Sequence, residues 1–137
     1  VEKLSKIVKR KCISLEPERL NELHKELKNL NRVLDRAYAK LLEEIRKSYK
    51  GRVFVDAYSH RSPFGPDVVF EPKGERYLSV AVASMFARAK FLMWLKERDL
   101  PKGSSKEAIS LAKKLLKENP EEAKRLLKLF FLDGERL

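Results

Sequence analysis

The chain has 137 residues, enough for one domain and short for two, and it does not begin with methionine, so a processed protein or a piece of a longer one is expected. Its 31 lysines and arginines against 20 acids give a net charge of +11, and its 43% hydrophobic content excludes a disordered tail. A lone cysteine, Cys12, excludes an intramolecular disulfide or multi-cysteine zinc site and fits a reducing cytoplasm; no unbroken apolar run approaches the roughly 18–20 residues of a membrane span, and the N-terminus has no signal-peptide core, so no membrane partner is expected.

Residues 2–10 read as helical turns with Leu4, Ile7 and Val8 on one face. Lys11-Cys12-Ile13-Ser14-Leu15 reads as a short strand with Cys12 buried and inert. Pro17 suits the first turn of a helix flanked by Glu16 and Glu18, and Leu20, Leu23, Leu27 and Leu30 continue it at helical spacing. Asn29-Leu30-Asn31 marks a break, and Val33, Leu34, Ala37, Leu41, Leu42 and Ile45 form a second stripe that ends before Gly51. His24 is expected on a charged helix surface.

The pattern then changes. Arg52-Val53-Phe54-Val55-Asp56-Ala57 predicts a buried strand, Ser59 to Pro66 a loop, Asp67-Val68-Val69-Phe70-Glu71 a second strand, and Pro72-Lys73-Gly74 a turn. A long helix is expected from Glu75 to about Arg98, its small residues Ser79, Ala81, Ala83, Ser84 and Ala87 letting it lie close to a sheet or another helix. After the Pro101–Ser104 loop, Ser104 or Ser105 caps the first of two amphipathic helices, about 105–118 and 120–131. Trp94 and Phe86, Phe91, Phe130 and Phe131 are expected in the core. The class is α/β with three short strands, a thin sheet for such a domain.

The excess of base is spread out, with +4 over residues 1–11 and +3 over 101–137. Such a balance favours phosphate-rich partners; a solvated surface of the Lys/Glu-rich thermophilic type is the alternative. No P-loop, GxGxxG, HExxH or GxSxG is present.

The chemistry-bearing positions lie in the middle. Asp56 ends an apolar strand, where open α/β sheets place active sites, and an acid there is costly to bury unpaired. Glu75 alone would be a favourable acid at a helix start. With Asp56 it becomes the second of two carboxylates at element ends, able to share a Mg²⁺ or Mn²⁺ ion through oxygen ligands. His60, in the loop after Asp56, reads as a solvent-exposed loop histidine, with proton shuttling or product ordering as its functional alternative.

Glu71-Pro72-Lys73-Gly74-Glu75-Arg76-Tyr77-Leu78-Ser79-Val80-Ala81-Val82-Ala83-Ser84-Met85-Phe86-Ala87-Arg88 resembles the Lys-Gly-Glu…Ala-Val-Ala-Ala-Ser-x-x-Ala-Arg segment of ribonuclease HIII. Ser14 to Leu23 with Asn29-Leu30-Asn31 is similar to that family's Ser-Pro-x-x-Tyr-Asn…Asn-Leu-Asn region, and Val53-Phe54-Val55-Asp56 to its Ile-Ile-Asp strand. Leu100-Pro101-Lys102-Gly103-Ser104-Ser105 and Lys128-Leu129-Phe130-Phe131 resemble its Leu-Pro-Lys-Gly-Ala and Lys-Leu-His-Phe. The likeness runs over about residues 12–137.

It implies an RNase H-like fold, of which residues 1–137 would be the C-terminal half of the catalytic domain, and metal-dependent hydrolysis of the RNA strand of RNA/DNA hybrids. Asp56 matches the third of the family's four acids and Glu75 the fourth, and Glu rather than Asp there points to type HIII over HII. The first two acids belong to an upstream Gly-x-Asp-Glu motif, and no Asp-Glu pair occurs in this chain. An upstream segment or a second chain is therefore expected to carry that pair, and this chain alone is expected to be inactive. Lys73 and Arg88 become candidates for phosphate contacts and Ser84 for a polar contact near the backbone, while the 2′-hydroxyls of the hybrid's minor groove would mark RNA. The stretch from Asp56 to Glu75 is shorter than the family's usual connection, and Phe130 stands where the family usually has His. The rival readings are a non-catalytic basic nucleic-acid-binding subunit or relic, and an interaction protein docking through Leu126, Leu127, Phe130 and Phe131.

Overall fold

The structure is a computed structural model that describes residues 2–103 and 105–131. The chain divides into two compact units, residues 1–13 with 34–91 and residues 14–33 with 92–137.

The first unit holds the sheet. Strands β1 (Val53–Asp56) and β2 (Val68–Glu71) run parallel, with Val53 opposite Val68 and Asp56 opposite Glu71. Their β-branched and aromatic residues suit a pleated, half-buried surface, and Val55 and Val68 are buried. The Ala57 N–H donates to the Glu71 carbonyl at 2.9 Å, extending the ladder one step past Asp56. Helix α3 (Leu30–Arg46) begins where the Asn29 side chain accepts the Asn31 N–H at 2.8 Å. At its far end Arg46 donates to the Gly51 carbonyl at 2.6 Å and pairs with the Asp67 carboxylate. This one guanidinium ties the approach to β1 to the approach to β2.

Aromatic rings fill the space beside the sheet. Tyr38 of α3 stacks on Tyr58 with centroids 5.2 Å apart, Tyr58 meets Phe70 edge-on at 5.2 Å, and Phe64 of the intervening loop reaches Phe70 at 5.9 Å. Near the N-terminus, after helix α1 (Glu2–Ser5), the Arg10 guanidinium lies 4.6 Å from the centre of the Phe86 ring of helix α4 (Leu78–Glu97).

The second unit is helical. Helix α2 (Pro17–Leu27) starts on its proline, whose missing N–H costs nothing in a first turn. Leu20 and Leu23 pack on Val33, which is 1% exposed, with Leu15, Leu27 and Phe130 around them. Helix α5 (Lys106–Glu118) is capped by Ser105, whose hydroxyl accepts the Ala108 N–H at 3.1 Å. Helix α6 (Pro120–Leu126) is capped by Asn119 on the Glu122 N–H at 3.2 Å.

Asn21 closes this unit. Its side-chain amide donates to the carbonyls of Leu127 at 2.8 Å and Lys124 at 3.3 Å, and its oxygen accepts the Leu129 N–H at 2.8 Å. Asn21→Ala would leave three backbone groups without this partner, so it is expected to destabilise the protein by about 2 kcal/mol. The urea midpoint measures this; a midpoint within error of wild type would show that water replaces the clamp.

Several expectations are corrected. Residues 11–15 form no strand: Ile13 and Leu15 are half-buried and Ser14 is exposed, but no neighbouring backbone pairs with them, and alternation without a ladder is not a strand. Cys12 is consequently exposed. The sheet therefore has two strands among the described residues, not three. The first helix ends at Ser5 and the last at Leu126, where Leu127 turns extended before a 3₁₀ turn over Leu129–Phe131. His24 is half-buried, stacked on Phe130 at 4.2 Å. Leu126, Leu127 and Phe130 are likewise half-buried; the Phe131 side chain and Ser104 lie outside the described residues.

Helix α4 departs furthest. Its small residues Ser79, Ala83, Ser84 and Ala87 face outward, Leu78 is 81% exposed and Met93 61%, and Phe91 is also exposed rather than in the core. It is apolar on all sides, so periodicity does not choose a buried face. By length and composition it is also apolar enough to cross a membrane. Arg88 and Lys90 interrupt the run, and each would cost about 2.5–3.5 kcal/mol at a bilayer centre.

Candidate active site

Asp56 stands at the carboxyl end of β1, exposed, where the sequence places it. Its Oδ1 accepts the Gly74 N–H at 2.9 Å. Gly74 is buried against β1, and a Cβ built on it would lie 2.8 Å from the Asp56 Cα, so only a residue without a side chain allows this approach. Lys73 before it takes a left-handed conformation with φ of 54°, uncommon for a lysine, which turns the chain into the site. Glu75 follows directly, exposed, in a 3₁₀ turn over Gly74–Arg76. The long helix begins only at Leu78, so Glu75 is held by a turn seated on β1 and not by the helix start expected for it.

A third acid reaches the same sheet end. Glu71 lies opposite Asp56 in the register, but its carboxylate is engaged: it pairs with Arg76 and accepts the Tyr77 hydroxyl at 2.8 Å. The Tyr77 ring in turn packs on Phe54 at 4.5 Å. The three acids thus divide into two exposed ones and one neutralised by its neighbours. Sequence reading missed the role of Glu71 because its partners become visible only once the Gly74 turn is folded.

Among the described residues no hydrogen bond or ion pair joins Lys73, His60, Ser84 or Arg88 to Asp56 or Glu75. Lys73 and Arg88 are exposed. Ser84 turns back to its own helix, donating to the Ala81 carbonyl at 2.8 Å. His60 is exposed in a loop held by local contacts, including the Ser59 hydroxyl on the Arg61 carbonyl at 3.0 Å.

Two tyrosines that no motif marks stand beside Asp56. The Tyr58 hydroxyl donates to Asp35 Oδ1 at 2.6 Å; burial and that hydrogen bond raise its pKa well above the usual tyrosine value. Burial also raises the Tyr38 pKa, and the Asp56 charge adds to the effect.

Among the described residues no group of three or more His, Cys, Asp or Glu side chains is placed to hold a metal ion. The donor chemistry at Asp56 and Glu75 nonetheless suits a hard divalent cation, since both offer exposed carboxylate oxygens.

No family model matches the chain. Among curated proteins it is 44% identical to the ribonuclease HIII of Aquifex aeolicus over 135 residues, covering 93% of this chain and 51% of that protein. It is 28% identical to the ribonuclease HIII of Protochlamydia amoebophila, covering 91% and 48%, and 26% identical to that of Chlamydia caviae, covering 90% and 49%. The chain thus spans about half the length of the curated relatives it matches. The crystal structure of Aquifex aeolicus RNase H3 superposes with a TM-score of 0.83 at 41% identity, over 95% of this chain and 52% of that one. Sequence and fold agree: this chain is similar to the ribonucleases HIII over their C-terminal part.

Proposed function

We propose that this chain is the C-terminal part of a ribonuclease H that hydrolyses the RNA strand of RNA/DNA hybrids, and that Asp56 and Glu75 supply two carboxylates to its metal site. The observation that carries the reading is the 2.9 Å hydrogen bond from Gly74 to Asp56, which seats the Lys73-Gly74-Glu75 turn on the end of β1. One backbone contact brings the turn that carries Glu75 onto the sheet end that carries Asp56. The curated relatives, all named ribonuclease HIII, support the same reading.

The residues of the chain hold and orient. Asp56 is fixed by the ladder and by Gly74, and among the described residues its exposed carboxylate makes no side-chain ion pair. Glu71 is kept from competing by Arg76 and Tyr77. Mg²⁺ or Mn²⁺ bound by such oxygens supplies the positive charge that phosphodiester hydrolysis needs at its attacking and leaving oxygens. Two carboxylates are few for that task, so further acids come from an upstream segment or a second chain, and this chain alone is inactive. Lys73 and Arg88 contact phosphates, Ser84 makes a polar contact near the backbone, and His60 is accessory.

The test is cleavage of a labelled RNA strand paired with DNA, by the chain together with the segment that completes its acids. The RNA is expected to be cut in Mg²⁺ or Mn²⁺, with no cutting of the matching DNA duplex. EDTA should abolish cleavage and added metal restore it. Cleavage that survives EDTA, or equal cutting of both duplexes, overturns the proposal.

A further inference from the structure

Asp56 is an exposed residue at the end of a four-residue strand, a position that frays unless something beyond it is pinned. Ala57 holds one further ladder bond, to the Glu71 carbonyl, and a second anchor lies two residues on. Tyr58 donates its hydroxyl to Asp35 at 2.6 Å and lays its ring on Tyr38, centroids 5.2 Å apart and planes within 18°. Asp35 and Tyr38 are three apart on α3, so one helix face receives both the hydroxyl and the ring. Phe70 closes the other side of Tyr58 edge-on, and Phe64 packs on Phe70. These residues bind the segment after Asp56 to a 17-residue helix, which is far stiffer than the strand itself.

We propose that Asp35, Tyr38 and Tyr58 are positioning residues for Asp56: the hydrogen bond and the stack fix the chain beyond β1, and so hold the Asp56 carboxylate where the Gly74 turn meets it. The raised Tyr38 pKa, to which the Asp56 charge contributes, agrees with the stack lying within the field of that carboxylate. None of the three touches substrate or metal in this scheme. The inference rests on the reading of Asp56 as a metal ligand, and the experiment separates the two.

The test uses the isotope-labelled chain together with the segment that completes its acids, and Mn²⁺ alone. The Gly74 amide proton, which donates to Asp56, is the reporter: its chemical shift follows the hydrogen bond, and paramagnetic broadening follows Mn²⁺ bound nearby. Tyr58→Phe keeps the ring and removes only the hydroxyl; Asp35→Ala removes the acceptor from the other side. Both are expected to move the Gly74 amide upfield and to raise the Mn²⁺ concentration for half-broadening roughly tenfold, the usual effect of losing an orienting partner. Asp35→Asn, which keeps an acceptor, is expected to restore most of both signals. If Tyr58→Phe and Asp35→Ala lower the melting temperature but leave the Gly74 shift and the Mn²⁺ midpoint at wild-type values, the residues are merely structural and the inference is overturned. If Asp56→Asn broadens with Mn²⁺ as wild type does, or wild type shows no broadening at Gly74, the metal reading fails instead. The Gly74 shift then still decides the positioning claim.

Discussion

Asp56→Asn is expected to lower cleavage of the hybrid, by the chain together with the segment that completes its acids, at least roughly 10²–10³-fold, the cost of removing one group that stabilises developing charge. The substitution suits the purpose because it changes little else. Asparagine has the same shape, its Oδ1 can still accept the Gly74 N–H, and the site is exposed, so stability should stay within about 0.5 kcal/mol of wild type. Measured together, single-turnover cleavage and thermal unfolding distinguish a lost ligand from a damaged fold. A variant that folds normally and still cuts at a wild-type rate would remove Asp56 from the site. Hybrid binding that is unchanged by this substitution, with no cleavage in wild type either, would favour a non-catalytic nucleic-acid-binding subunit.

Gly74→Ala is expected to be the most damaging single-methyl change in the chain. The new Cβ would lie 2.8 Å from the Asp56 Cα and 2.9 Å from its Cβ. A flexible side-chain tip could move aside, but a strand backbone cannot, so the turn must lift and the bond to Asp56 must lengthen. A loss of about 2–3 kcal/mol follows from overpacking of this kind, read as a lower urea midpoint, and cleavage should fall with it. Gly103→Ala is the matched control: its φ of +58° strains an alanine, but nothing lies within 4 Å of the added carbon. It should cost only about 1 kcal/mol and leave cleavage intact. If the two glycine variants behave alike, the close approach at Gly74 is not what shapes the site.

How much of this could be read in advance depended on range. Val53-Phe54-Val55 announced β1 by composition, and Asp56 was legible because a single acid ended the run. The helices α2, α3 and α5 followed from leucine spacing, a proline and a serine cap, all local signals. Lys11–Leu15 failed as a strand because a strand needs a partner, and no feature of five residues reports one. Helix α4 kept its existence but lost its expected burial, since an all-round apolar helix carries no moment to orient it. The turn at Pro72-Lys73-Gly74 was visible, yet its seat on Asp56 was not, because the glycine's neighbour lies 18 residues away. Asp35 and Tyr58 are 23 residues apart and neither belongs to a motif. Their pairing is a property of the packed unit.

The Asn21 clamp has a consequence for synthesis. Its partners lie 103 to 108 residues downstream, so α2 emerges from the ribosome long before anything can close on it. At about 5–20 residues per second, that interval lasts on the order of five to twenty seconds. Throughout it Leu20 and Leu23 wait without Phe130, and by its last third the stretch from Leu34 to Phe91, which carries Asp56, Gly74 and Glu75, has already been made. The two candidate acids therefore belong to the part of the chain that can take shape first, and the helical unit that brackets it in sequence is the last to be sealed.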